Sequence, residues 1–196
     1  MKSVYNFVVK PKGERYINKK KIGDSELILN TEIFNHQYVN REAIVISTPI
    51  IGNTDIKPGD TVIVHHNIFR RWHNIRGEEK NSKSYFNENT YFLNHDQIFL
   101  YKRDKNWIAP KGYCFIKPLK AVDKFNIELE KPLQGIVRYS DGTVNIGDLI
   151  GYRPKTQCEF IVDGERLYRI LSNLITIKYE YQGDEEEYNP SWAQGG

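Results

Sequence analysis

The feature that most constrains this chain is an internal repeat. Phe7-Val8-Val9-Lys10-Pro11 resembles Cys114-Phe115-Ile116-Lys117-Pro118. Ala43-Ile44-Val45-Ile46 resembles Gly135-Ile136-Val137-Arg138. Ile56-Lys57-Pro58-Gly59-Asp60-Thr61-Val62 resembles Val144-Asn145-Ile146-Gly147-Asp148-Leu149-Ile150. Leu93-Asn94-His95-Asp96-Gln97-Ile98-Phe99 resembles Val162-Asp163-Gly164-Glu165-Arg166-Leu167-Tyr168. One such similarity means little, but four in the same order argue for a duplicated unit. The join falls near Trp107–Gly112, and a chain of 196 residues suits two modules of about 100 residues each.

The repeated blocks read as strands. Tyr, Phe, Ile and Val are abundant and Met occurs once, a bias toward β structure. Short apolar runs separated by turn residues predict strands over Val4–Lys10, Glu42–Thr48, Thr61–His66, Thr90–Leu93, Gln97–Lys102, Tyr113–Lys117, Gln134–Tyr139, Leu149–Tyr152, Glu159–Val162, Arg166–Leu171 and Leu174–Tyr181. Asp163-Gly164, between Phe160-Ile161-Val162 and Leu167-Tyr168, is the strongest hairpin signal. The expected fold is all-β, with two irregular barrels and an extended tail. The expected divisions are 1–108, 109–182 and an acidic, aromatic tail over 183–196. Lys12–Asp24 and Arg70–Asn89 are polar and read as loose insertions of the first copy, which is where a function is sought.

A net charge of +3 does not by itself imply a polyanionic partner. No apolar run approaches the roughly 18 residues that a membrane-spanning helix needs, and the N-terminus does not read as a secretory signal. Two cysteines make no disulfide framework, so a cytoplasmic setting is the simplest expectation.

The ordered blocks have a family likeness. A strand ending in Lys10-Pro11 or Lys117-Pro118, a loop, the Ala43–Ile46 or Gly135–Arg138 strand, the Gly-Asp turns at Gly59-Asp60 and Gly147-Asp148, and Val162-Asp163-Gly164-Glu165-Arg166-Leu167 together resemble the GroES-type co-chaperonin family. The resemblance covers most of residues 4–180, at double the usual length, and the uneven copies are similar to divergent, virus-encoded members. It implies a cyclic homo-oligomer that caps a GroEL-type chaperonin ring and assists protein folding. It also implies a mobile loop after the first strand with a short apolar anchor. Here that loop is Gly13–Asn30 and the anchor is Leu27, Ile28 and Leu29. The second copy has only Lys120–Glu130 there, with Phe125–Leu129 as a possible short anchor.

Each candidate residue also has a plainer reading. Leu27-Ile28-Leu29 either anchors a partner or starts a core strand. Phe69-Arg70-Arg71-Trp72-His73-Asn74-Ile75-Arg76 either stacks bases and holds phosphates or is a surface loop whose cations pair with Glu78 and Glu79. His65 and His66 are adjacent on an expected strand and should point to opposite faces, which disfavours a shared metal ion with His73 or His95. Cys114 and Cys158 read as buried thiols. Asp184–Glu187 reads as a solvated run, and Tyr188–Trp192 either docks on a neighbour or is flexible. No catalytic, cofactor or metal motif stands out. The expected function is a non-enzymatic co-chaperonin without a cofactor. A ring-forming virion-type assembly protein is the alternative, and a single-stranded nucleic-acid-binding barrel is the weaker one.

Overall fold

Apolar runs punctuated by Gly- and Asp-containing turns fold as antiparallel strands throughout. The computed structural model describes residues 3–28, 35, 38–121, 130–154, 157–180, 183 and 185–189. In chain order the strands are β1 (Phe7–Pro11), β2 (Lys19–Ile22), β3 (Ser25–Ile28), β4 (Glu42–Ser47), β5 (Thr61–Val64), β6 (Arg71–His73), β7 (Glu79–Asn81), β8 (Tyr85–Asn87), β9 (Thr90–Leu93), β10 (Ile98–Arg103) and β11 (Asn106–Ile108). There follow β12 (Tyr113–Lys120), β13 (Glu130–Ser140), β14 (Leu149–Tyr152), β15 (Cys158–Val162), β16 (Glu165–Leu171) and β17 (Ile175–Lys178). The chain divides into two compact units, Met1–Asn106 and Trp107–Gly196.

Each unit is built on one strand order. The first sheet runs β11-β10-β5-β4-β1-β9-β8 and the second β15-β16-β12-β13-β14-β17. Without β11, and read from the other edge, the second order is the first with β12, β13, β14, β15, β16 and β17 in place of β1, β4, β5, β8, β9 and β10. The register agrees residue by residue. Val9 faces Val45 and Pro11 faces Ala43, while Ile116 faces Val137 and Pro118 faces Gly135. The bulge between Val8 and Val9 recurs between Phe115 and Ile116. Bulges are specified features of a strand pair, so their coincidence is more informative than shared β content.

The Gly-Asp turns are equally alike. Gly59 and Gly147 adopt φ of +94° and +89°, in the region that favours glycine. Gly59 N donates to Val45 O and Gly147 N to Val137 O, both at 2.8 Å. Asp60 and Asp148 each accept the backbone N–H three residues earlier, from Lys57 and Asn145. Each also takes a cation from one of the equivalent strands β10 and β17, Arg103 at 2.7 Å and Lys178 at 2.9 Å.

Two sequence expectations are corrected. The first is the fourth block. Leu93 pairs with Phe7 and Ile170 with Cys114, so Leu93 corresponds to Ile170 and not to Val162. Asn94-His95 therefore opens a short 3-10 turn, His95–Gln97, equivalent to Ser172–Leu174. The counterpart of the Asp163-Gly164 hairpin is the β8–β9 connection around Glu88-Asn89. The second correction is closure. The all-β expectation holds, but among the described residues none of the sheets closes into a barrel, so the two expected barrels are not found. Among the described residues the edge strands β15 and β17 pair only inward, with β16 and β14, and β17 is short and mostly exposed, a common way to blunt an edge.

The second sheet is buried on both faces. Cys114, Ile116, Val137, Ile150, Tyr152 and Ile170 form one cluster, while Leu119, Ile136 and Leu149 form another. Phe115 and Phe160 pack edge to face at 5.4 Å. Burial on two faces explains why Ile98–Tyr101 and Leu149–Tyr152 are continuous apolar runs rather than alternating ones. No helix among the described residues is long and apolar enough to cross a membrane.

Candidate partner-binding site

The excursion between β1 and β4 is absent in this length from the second unit, where only residues 121–129 separate β12 and β13. Its base is tightly held, which corrects the expectation of a loose segment from Lys12. Lys12 N donates to Glu42 O at 2.9 Å, and its ammonium lies 2.6 Å from the Glu42 carboxylate. Asn40, 3% exposed, donates to Lys12 O and Glu14 O and accepts from Glu42 N. Ile17 N donates to Tyr38 O, Asn40 N donates to Arg15 O, and Tyr16 is bridged to Val39. These contacts make a stem.

The stem is locked to the Arg70–Asn89 insertion. Arg15 is 8% exposed and donates to Phe69 O and to Asn81 Oδ1. Its guanidinium lies 5.3 Å from the Tyr85 ring centre and 5.6 Å from that of Tyr91. The Tyr16 hydroxyl accepts Arg71 N at 2.7 Å, and the Arg71 guanidinium lies over the Tyr16 ring. Desolvation opposes the charge on Arg71, but Glu79 and Tyr16 outweigh it and raise its pKa.

Beyond the stem, β2 and β3 form a hairpin exposed along its whole length. Its turn is Gly23-Asp24, with a positive φ of +60° at Gly23, as expected where Gly takes the first position of a two-residue hairpin turn. Pairing sets Lys20 opposite Leu27 and Ile22 opposite Ser25, so Ile22 and Leu27 share one face. Ile28, opposite Lys19, lies on the other face with Lys21 and Glu26. Ile22, Leu27 and Ile28 are 57%, 51% and 57% exposed. Leu27 and Ile28 therefore do not begin a core strand. The expected anchor triplet is also split: Leu27 finds its apolar neighbour in Ile22, and not in Ile28. Leu29 lies outside the described residues, as does the Phe125–Leu129 segment.

The residues of the basic-aromatic run differ in environment. Phe69 is wholly buried and packs edge to face on Tyr91 at 4.7 Å. Trp72 sits opposite Lys80 in the β6–β7 hairpin, and Arg71 is paired to Glu79 at 3.0 Å. Glu78 pairs with Lys80 rather than with an arginine. His65 and His66 lie past the end of β5, with ring centres 4.2 Å apart, so they are side by side and not on opposite faces. Among the described residues no group of three or more His, Cys, Asp or Glu side chains is placed to hold a metal ion. Burial pushes the Cys114 thiol up to about 12, whereas Cys158 is only half-buried.

The sequence carried a signal for the hairpin that the expectation of a loose segment passed over: Gly-Asp between Lys-Lys-Lys-Ile and Ser-Glu-Leu-Ile is a two-residue turn signal. The residues that pin its base, Arg15, Tyr16 and Asn40, carry no local signal, because their partners lie up to 66 residues away. No family model matches the chain, and no curated protein matches it.

Proposed function

We propose that this protein is a non-enzymatic, ring-forming co-chaperonin whose β2–β3 hairpin docks on a chaperonin. The observation that carries the reading is the hairpin itself, an exposed apolar pair, Ile22 and Leu27, held out on a pinned stem after the first strand of a duplicated β unit. A hairpin tip of this kind buries little on its own, so it is suited to engaging a groove on another protein. Each fully buried Leu or Ile contributes about 1.5–3 kcal/mol, a weak contact that repetition around a ring converts to useful affinity. The two tandem units are then GroES-like modules, of which the first carries the contact element.

The double variant Ile22→Ser, Leu27→Ser tests this. It should weaken binding to a GroEL-type chaperonin in the presence of nucleotide and leave the thermal melt within about 1 °C of the parent, since surface substitutions cost little. Undiminished binding by the folded variant would refute the assignment of the hairpin. Absence of any binding by the parent would favour a ring-forming assembly protein instead.

A further inference from the structure

The chain end does not read as expected. Glu185–Asn189 is not a free tail, because it docks on the second sheet of its own unit, although Glu186 and Glu187 stay exposed to solvent as the acidic run predicts. Tyr188 N donates to Pro118 O and Lys120 N donates to Glu186 O, each at 2.8 Å, and Leu119 is bridged antiparallel to Glu187. The β16 partner of β12 covers only Tyr113–Ile116. Where β16 turns away, Pro118 and Lys120 present backbone groups on that same edge, and the tail takes them.

The side chains add a repeating pattern. Glu185 lies 2.6 Å from Lys131, Glu186 2.8 Å from Lys120 and Glu187 2.7 Å from Lys117. The next two residues meet Arg166, whose guanidinium is 5.7 Å from the Tyr188 ring centre and whose backbone N donates to Asn189 Oδ1. Asn189 in turn donates to Gly164 O. Arg166 is 8% exposed and is fixed by Glu130 at 2.7 Å, by Glu159 and by the Tyr168 hydroxyl. Tyr168 closes the cluster by donating to Glu130.

The geometry points to the β12 edge at Pro118–Lys120 as a docking site for an extended acidic peptide with an aromatic residue after its glutamates, occupied in cis by Glu185–Asn189. The partner it fits is such a segment of another protein, which enters by displacing the tail. Strand addition to an edge takes its affinity from the main chain and its specificity from the side-chain partners. Here the partners are three lysines, Lys117 and Lys120 of β12 and Lys131 of β13, and an arginine-backed aromatic position, which is charge complementarity for that class of peptide. Displacement is feasible because, among the described residues, two backbone bonds join the tail to β12, and its pairs at Lys120 and Lys117 are partly exposed, a class of contact worth little apiece. The cis tail competes at millimolar effective concentration, so the edge opens to a partner once the tail is weakened. This inference is independent of the chaperonin reading.

The test uses a labelled synthetic peptide spanning residues 183–192 and the full chain carrying Glu185→Gln, Glu186→Gln and Glu187→Gln. The variant should bind the peptide at least about tenfold more tightly than the parent does, since its own tail competes less. Binding should weaken as ionic strength rises. Adding Lys117→Glu and Lys120→Glu to the variant should abolish it. A chain ended after Gly183 serves as a second variant. Either folded variant failing to bind, or binding a scrambled peptide or a single-stranded oligonucleotide equally well, overturns the proposal. If both variants unfold, the tail belongs to the core and the proposal fails.

Discussion

Gly135 shows how one position can record the duplication and its divergence together. Its counterpart is Ala43, which is fully buried in the first unit. At Gly135 an added Cβ would meet Lys117 O at 2.6 Å and Ile116 Cδ1 at 2.7 Å. The second unit therefore brings β12 and β13 closer than a side chain at this position permits. Gly135→Ala should destabilise the protein by about 1–3 kcal/mol, the usual range for overpacking, in a denaturant melt. A melt indistinguishable from the parent would mean that the strand approach is wrong. Turn chemistry at this scale was partly legible. Asp163-Gly164 announces its hairpin, and both residues take positive φ. Asp104-Lys105 makes a turn with φ of +49° and +71° without a glycine, and nothing local in the sequence points to it.

At the scale of elements, all the strands expected from apolar runs are present, Thr90–Leu93 and Leu149–Tyr152 with the expected ends and the others with shifted ones. The missed ones are β2, β3, β6, β7, β8 and β11, short strands of which several are polar and exposed, so hydrophobic periodicity has nothing to detect. The fourth block was misaligned for a related reason. Turn residues around Asn94-His95 look like those at Asp163-Gly164, and only the cross-strand register separates a 3-10 turn from a hairpin. The stem and hairpin of the excursion also differ in environment, and this has a measurable consequence. The Asn40 amide, bonded to Arg15 O inside a buried stem, should exchange with deuterium far more slowly than the Lys20 to Ile28 amides of the exposed hairpin. Equal protection across Asn40 and the hairpin would contradict a pinned stem carrying an exposed tip.

For the whole molecule, the repeat in the sequence and the shared strand order tell one story: two copies of a six-strand antiparallel unit, one extended by a stem, a hairpin and an insertion, the other closed by its own tail. Block order was legible because Gly-Asp turns and Lys-Pro strand ends punctuate both copies alike. Barrel closure was not, because it depends on whether two edge strands meet, and neither edge carries a residue type that decides this. The docking of the tail is not legible, because its exposed glutamates find their partners in lysines of β12 and β13 more than 50 residues earlier. The proposed ring-forming co-chaperonin requires assembly of the 23.0 kDa chain into a closed oligomer. Native mass determination, alone and with a GroEL-type chaperonin and nucleotide, tests it most directly. The account predicts a closed oligomer at an integer multiple of the chain mass, and a further species in which that whole oligomer adds to the chaperonin. A monodisperse monomer that leaves the chaperonin mass unchanged would contradict it.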